Sequence, residues 1–273
     1  MSRLTPTFDR LKQNQRKALI PFITAGDPSP DFTVPLMHAM VAAGADIIEL
    51  GVPFSDPMAD GPVIQRASER ALRHHMNLTR SIEMVSCFRE VDATTPIVLM
   101  GYLNPIESMG YANFVSAAAK AGVDGVLTVD MPPEEAHDMI AALTEVSIDP
   151  IFLLAPTSSN ARIQAINAVA KGYLYYVSLK GVTGASHMDV RQVEQKLHDI
   201  RQLTRLPIGV GFGVKDAATA AAIAAMADAV VVGSALIQCI EAGLGKDAPI
   251  QERIVAMLAS MRAAMDNTHL ASG

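Results

Sequence analysis

The chain has 273 residues, 50% of them hydrophobic and 18% charged, with a formal net charge of −6. That length suits one large domain or two small ones, and the apolar content is enough to bury a sizeable core, which excludes a disordered chain. An acidic balance with no run of Lys or Arg argues against a nucleic-acid surface, yet a pocket of backbone N–H groups can still take a phosphate.

In chain order, residues 2–14 read as a helix. A strand follows at Ala18–Ala25, closed by Gly26-Asp27-Pro28, then a helix at Pro30–Ala43 stopped by Gly44. Strands follow at Asp46–Gly51 and Pro96–Tyr102, a helix at Met109–Ala121 stopped by Gly122, and a strand at Gly125–Asp130. The pattern continues with a helix at Pro133–Glu145, a strand at Asp149–Ala155, a helix at Ser159–Ala170 and a strand at Tyr173–Ser178. It closes with a helix at Asp189–Leu203, strands at Pro207–Gly213 and Ala229–Ala235 around a helix at Lys215–Met226, and a helical region over 236–242 and 250–265. The strands are nearly continuous apolar runs, as expected of strands buried on both faces. Glycine just past a helix is a C-terminal stop.

Eight strands alternating with helices imply a parallel sheet, and at this length a closed (β/α)8 TIM barrel is the economical solution. The expectation is one barrel domain over 1–273 with an extra N-terminal helix. A doubly wound fold would want GxGxxG after the first strand, where this chain has GDPSP. The starts of strands two and three (46 and 96) lie 50 residues apart, and those of strands six and seven (173 and 207) lie 34 apart. Both extra lengths, VPFSDPMADGP (52–62) and LKGVTGASHM (179–188), follow strand C-terminal ends, the face where barrel active sites sit and where long loops act as lids.

Alternation in DIIELG sets Ile48 and Leu50 toward the helices and points Glu49 into the barrel. A carboxyl there has a raised pKa, which suits general acid–base work; the other reading is an inert polar layer residue. Asp60, with Asp56 four residues before it, lies in a proline-restricted loop and is either a second carboxylate converging on the same cavity or a turn former or helix cap. Gly181 and Gly184 after strand six, Gly209, Gly211 and Gly213 at strand seven, and Gly233-Ser234 opening a helix after strand eight fit a barrel phosphate site, or else simply tight turns. Tyr175 faces either the cavity or the core. The seven histidines show no metal spacing, and no HExxH, P-loop or GxSxG occurs. Cys87 and Cys239 read as free, mostly buried thiols. No signal-peptide h-region precedes residue 18 and no apolar run reaches the ~18 residues of a membrane span, so the expected location is the cytoplasm.

PFITAGDP (21–28), ELGVPFSDPMADGPVIQRA (49–67), GYLNPI (101–106), VDMPPEE (129–135), LKGVTGA (179–185), GVGFGV (209–214) and VVGSALI (231–237) together resemble the tryptophan synthase alpha subunit family along the whole chain. The resemblance implies a carbon–carbon lyase that cleaves indole-3-glycerol phosphate to indole and glyceraldehyde 3-phosphate. It implies Glu49 as the acid–base residue and Asp60 as the acceptor of the indole N–H. It also implies Gly184, Gly213, Gly233 and Ser234 at the phosphate, Phe22, Tyr175 and Phe212 in the substrate pocket, and Thr183 on a lid that engages the aspartate. No cofactor is implied on this chain; pyridoxal phosphate would sit on a beta subunit, the partner in an alpha2-beta2 heterotetramer. The loop 53–60 and stretches near Asn104-Pro105 and Asp130–Pro133 match the contact surface. The alternatives are another phosphate-binding barrel such as an indole-glycerol-phosphate synthase, which needs a strand lysine that strands one to five lack; a stand-alone lyase; and a barrel that serves only to bind and activate a partner.

Overall fold

Alternation decides the architecture. In a parallel strand covered by helices, one set of side chains meets the helix layer and the other meets the opposite strands, so both sets are apolar. The computed structural model describes residues 2–177, 190–211, 213–244 and 249–267. In it β1 (Ala18–Thr24), β2 (Ile48–Gly51), β3 (Ile97–Gly101), β4 (Gly125–Thr128), β5 (Asp149–Leu154), β6 (Leu174–Val177), β7 (Ile208–Gly211) and β8 (Ala229–Val232) form a closed parallel barrel in sequence order. The last strand pairs with the first, Ala18 opposite Ala229.

The two side-chain sets make two cores. Leu19, Ile23, Ile48, Leu50, Ile97 and Leu99 join the layer beneath the helices. Ala18, Ile20, Ile47, Val98, Leu127, Ile151, Tyr173, Tyr175, Ala229 and Val231 fill the barrel. The expected phase of strand two is therefore the observed one.

The interior core also contains Leu4, Phe8 and Leu11 of α1 (Leu4–Gln13), so this helix plugs the N-terminal end of the barrel. Asp124, 1% exposed, holds it there. Its Oδ1 accepts from the backbone N–H and the Nη1 of Arg3, both at 2.9 Å, and its Oδ2 accepts from Arg89 Nη2 at 2.7 Å and from the Ile97 N–H at 2.9 Å.

The elements differ from the expectation in three places, two in the helix layer and one in the barrel. The 50-residue interval is not mainly a lid: it holds α3 (Pro62–Arg73) and α4 (Leu78–Arg89) after a short loop. The helix expected from Met109 is broken by Gly110, whose φ of +81° an L side chain rarely adopts, into α5 (Leu103–Met109) and α6 (Tyr111–Ala121). Strand two starts at Ile48 because the Asp46 carboxylate accepts the Leu19 N–H and pairs with Arg262. The remaining helices are α2 (Pro30–Ala42), α7 (His137–Glu145), α8 (Asn160–Val169), α9 (Val190–Arg201), α10 (Ala217–Ala224), α11 (Ser234–Gly243) and α12 (Ile250–Asn267). Both cysteines are free, but Cys87 is exposed rather than buried, because α4 turns Ile82, Val85 and Phe88 inward and leaves position 87 off that stripe. Among the described residues no helix is long and apolar enough to cross a membrane.

Candidate functional site

The site is built at the C-terminal end of the barrel from β1, β2, β3 and the loop that leaves β2. Glu49 is the third-from-last residue of β2, opposite Phe22 of β1 and Val98 of β3, and it is 0% exposed. Its Oε1 accepts a hydrogen bond from the Tyr173 hydroxyl, and its Oε2 has no partner among the described residues. Burial pushes the Glu49 carboxyl up to about 8, and the hydrogen bond from Tyr173 only partly offsets that. The same burial, with Glu49 alongside, holds the Tyr173 and Tyr175 phenols well above their usual range.

Tyr173 was not singled out from the sequence. It sits two residues before Tyr175 and therefore shares its face, which is the signal that marks it. Its ring rests on Phe8 of the plug helix at 5.8 Å between centroids. Floor helix, tyrosine and carboxyl thus form one stack.

Asp60 lies at the end of the loop, just before α3. It does not cap that helix: the cap residue is Gly61, and no side chain bonds the first amides. Instead Asp60 Oδ2 accepts from the Tyr102 hydroxyl at 3.1 Å, and the same hydroxyl accepts the Ala59 N–H at 3.0 Å. Tyr102 stacks on Phe54 at 5.1 Å, so one tyrosine from the end of β3 pins both ends of the loop. Burial raises Asp60 to about 6 against the lowering effect of Tyr102. Tyr102 was the second residue that sequence reading missed, since nothing local links it to a loop 42 residues away. Asp56 points away from this group; it is exposed and accepts from the neighbouring Ser55 hydroxyl.

Between these elements opens a small cleft, lined by Phe22, Thr24, Val52, Asp60, Ile64, Ser68, Met100, Tyr102 and Val129 among others. Two glycines make room for aromatic rings at this end of the barrel. A Cβ on Gly51 would fall 2.6 Å from the Phe22 ring, and one on Gly211 would overlap the Tyr175 hydroxyl. Phe22 also lies against Gly233, which places the mouth next to the N-terminus of α11. That helix opens with Gly233 and the exposed Ser234, and no side chain caps it. Uncapped amides at a helix start are ready for an anion. Gly213, with a φ of +80°, is exposed at the end of β7. Thr183, Gly184 and Phe212 lie outside the described residues. Among the described residues no group of three or more His, Cys, Asp or Glu side chains could hold a metal ion.

The outer part of α3 is tied to two other elements. Arg70 donates from Nε and Nη2 to the Asp27 carboxylate at 2.6 and 2.9 Å, and its Nη1 lies 3.5 Å from Glu241 of α11. The loop bearing Asp60 therefore leads into a helix anchored both to the end of β1 and to the helix that starts at Ser234.

Two carboxyls with different desolvation, beside a tyrosine-lined cleft and an uncapped helix start, are the parts of acid–base chemistry on an anionic substrate. Residues 8–266 match the family model described as tryptophan synthase alpha chain. The tryptophan synthase alpha chain of Methylococcus capsulatus is 66% identical over 266 residues, covering 97% of this chain and 100% of that one, and that of Thioalkalivibrio sulfidiphilus is 64% identical with the same coverage. The crystal structure of the tryptophan synthase subunit alpha from Legionella pneumophila superposes with a TM-score of 0.93 at 46% identity, covering 98% of this chain and 99% of that one. With near-full-length identity and the same barrel, the chain belongs to the tryptophan synthase alpha chain family of lyases.

Proposed function

We propose that this chain cleaves indole-3-glycerol phosphate to indole and glyceraldehyde 3-phosphate, with Glu49 and Asp60 as its catalytic residues. The observation that carries the reading is the pair of carboxyls on β2 and its loop, one pushed up to about 8 and the other to about 6. At neutral pH the first holds its proton and the second is ionised, which separates an acid from an anion.

In the first step the protonated Glu49 gives its proton to C3 of the indole ring. The ring becomes a cation, and the ionised Asp60 accepts the indole N–H and stabilises it. In the second step the carboxylate of Glu49 takes the proton of the glycerol hydroxyl next to the ring. The O–H electrons form the aldehyde, the bond to C3 breaks, and its electron pair restores neutral indole. Glu49 ends protonated, as it began.

Gly213, Gly233 and Ser234 fit a phosphate cradle, and Phe22 and Tyr175 fit a pocket wall; the family resemblance adds Thr183, Gly184 and Phe212 as substrate-binding residues, which lie outside the described residues. No step requires a cofactor on this chain. The whole chain acts as one barrel domain in the cytoplasm and docks on a beta subunit, which carries the pyridoxal phosphate, in an alpha2-beta2 heterotetramer. The docking face is the rim where the loop after β2, α5 and the turn after β4 emerge from neighbouring strands. Support for this comes from Met58, which is 86% exposed on that loop, and from the Leu103 N–H donating to Asp130 at 2.8 Å across the rim.

The test is indole formation from indole-3-glycerol phosphate by the purified chain, with and without a beta subunit. Weak turnover that the partner raises strongly supports the whole reading. High turnover indifferent to the partner replaces the docking half with a stand-alone lyase, and no turnover in either case removes the catalytic assignment.

A further inference from the structure

Thr24 is the last residue of β1. It shares the inward phase of Ala18, Ile20 and Phe22 and pairs in register with Gly51 of β2. Its side chain is 1% exposed, and its hydroxyl oxygen has no hydrogen-bond partner among the described residues. A buried hydroxyl without a partner destabilises the folded chain, and such groups are rare in native structures. Valine would fill the same volume and keep the β-branched shape that a strand favours, without the orphaned oxygen. Packing therefore gives no reason for threonine at this position.

Its location gives one. Thr24 lines the cleft that holds Asp60 and Tyr102. The Tyr102 hydroxyl is already committed, donating to Asp60 and accepting from Ala59. Phe22, Val52, Ile64, Met100 and Val129 offer the cleft no hydrogen bond. The Thr24 hydroxyl keeps both a donor and two acceptor sites open on that wall. A polar atom held dry and unpaired on the wall of a binding cleft strongly discriminates between ligands that satisfy it and ligands that do not.

We propose that Thr24 is a substrate-contacting, specificity-determining residue: its hydroxyl hydrogen-bonds, directly or through one water, to the polar edge of the aromatic ring held against Asp60. The proposal rests on the reading that an indole ring occupies this cleft. Ligand binding then satisfies an oxygen that no described residue pairs, so the folded state gives up stability that the complex regains.

The experiment compares Thr24→Val and Thr24→Ser with the unaltered full-length chain. Three quantities are read: kcat and KM for indole-3-glycerol phosphate, the melting temperature of the free chain, and the rise in melting temperature on adding an unreactive analogue, indole-3-propanol phosphate. Thr24→Val is expected to melt at or above the unaltered chain, to lose tenfold or more in kcat/KM, and to show a smaller analogue-induced rise. Thr24→Ser, which keeps the hydroxyl, is expected to retain kcat/KM within about threefold. A Thr24→Val variant with unchanged kinetics and an unchanged analogue-induced rise would overturn the proposal, leaving the hydroxyl a packing defect. An equal loss in Thr24→Ser would overturn it too, because the effect would then follow shape rather than hydrogen bonding. If Thr24→Val folds poorly, Thr24→Ser and Thr24→Ala decide in the same way, by whether loss of the analogue-induced rise follows loss of the hydroxyl. Failure of the unaltered chain to make indole is a separate outcome, which removes the proposed reaction and this inference with it.

Discussion

Tyr173 donates its hydroxyl hydrogen to one oxygen of Glu49, and the other oxygen, inside the barrel, has no partner among the described residues. The arrangement fixes the carboxyl's orientation without stabilising its charge enough to overcome burial. A group so held carries its proton at neutral pH and has one oxygen free to deliver it.

Replacing Glu49 by Gln keeps the shape and removes the proton. Turnover of indole-3-glycerol phosphate is expected to fall by about 10²-fold or more, while affinity for an unreactive indole phosphate analogue stays within a few-fold. Steady-state kinetics and calorimetric titration of the analogue check both halves, and near-full turnover would remove Glu49 from the mechanism.

The same substitution has a stability signature. Glu49 titrates near 4.5 when unperturbed and at about 8 in the folded chain. Between those values the folded chain holds a proton that the unfolded chain has released, so this group makes stability fall as pH rises through that window. Glu49→Gln has no such dependence. Its melting temperature relative to the unaltered chain is expected to climb from pH 5 to 8 and level off beyond; a constant difference across that range would contradict the raised pKa.

Acid and anion together give a bell. On the proposed mechanism Asp60 acts ionised, so kcat/KM is expected to rise as pH passes about 6, and Glu49 acts protonated, so it is expected to fall beyond about 8. Because the Tyr173 hydrogen bond favours the charged form of Glu49, Tyr173→Phe is expected to move the falling limb to higher pH and leave the rising limb in place. Movement of the rising limb instead would detach Tyr173 from Glu49.

Arg70 and Glu241 separate a buried ion pair from an exposed one. Asp27 is 0% exposed and Arg70 is 13% exposed, so Arg70→Met strands a buried charge and is expected to cost about 3–5 kcal/mol in denaturant unfolding. Glu241→Gln breaks contacts to Arg66 and Arg70 near the surface and is expected to cost less than about 1 kcal/mol. Equal costs would show that Asp27 does not depend on Arg70.

Ser234→Asp places a carboxylate at the open start of α11. The charge is favourable to the helix itself but repels an incoming phosphate. KM for indole-3-glycerol phosphate is expected to rise about tenfold or more with kcat changed little, which corresponds to roughly 1.4 kcal/mol of lost binding. An unchanged KM would move the phosphate elsewhere.

The eight strands and the inward phase of Glu49 were legible because a two-residue period fixes faces without any knowledge of neighbours. The helices between β2 and β3 were not. α3 buries only the small side chains Ala67, Ser68 and Ala71, while α4 carried a readable stripe of Leu78, Ile82, Val85 and Phe88 that the long interval between strands obscured. Tyr173 and Tyr102 escaped for a different reason: their importance lies in contacts 124 and 42 residues away, which no local pattern encodes. Asp60 was legible as a loop carboxylate, but its choice of a tyrosine over the helix end depended on where β3 delivered Tyr102. The family resemblance supplied roles for both carboxyls; the physical origin of their different acidities required the barrel.

The helix that plugs the bottom of the barrel closes that end with Leu4, Phe8 and Leu11. The end beside Asp60 is then the one through which a ligand can approach the strand that carries Glu49. On the docking proposed above, a partner seated on that rim would meet admission of substrate, exclusion of water and release of product at one place. The floor reaches the same carboxyl: Phe8 supports the ring of Tyr173, so loosening the first helix would slacken the grip on Glu49 from the opposite end of the barrel.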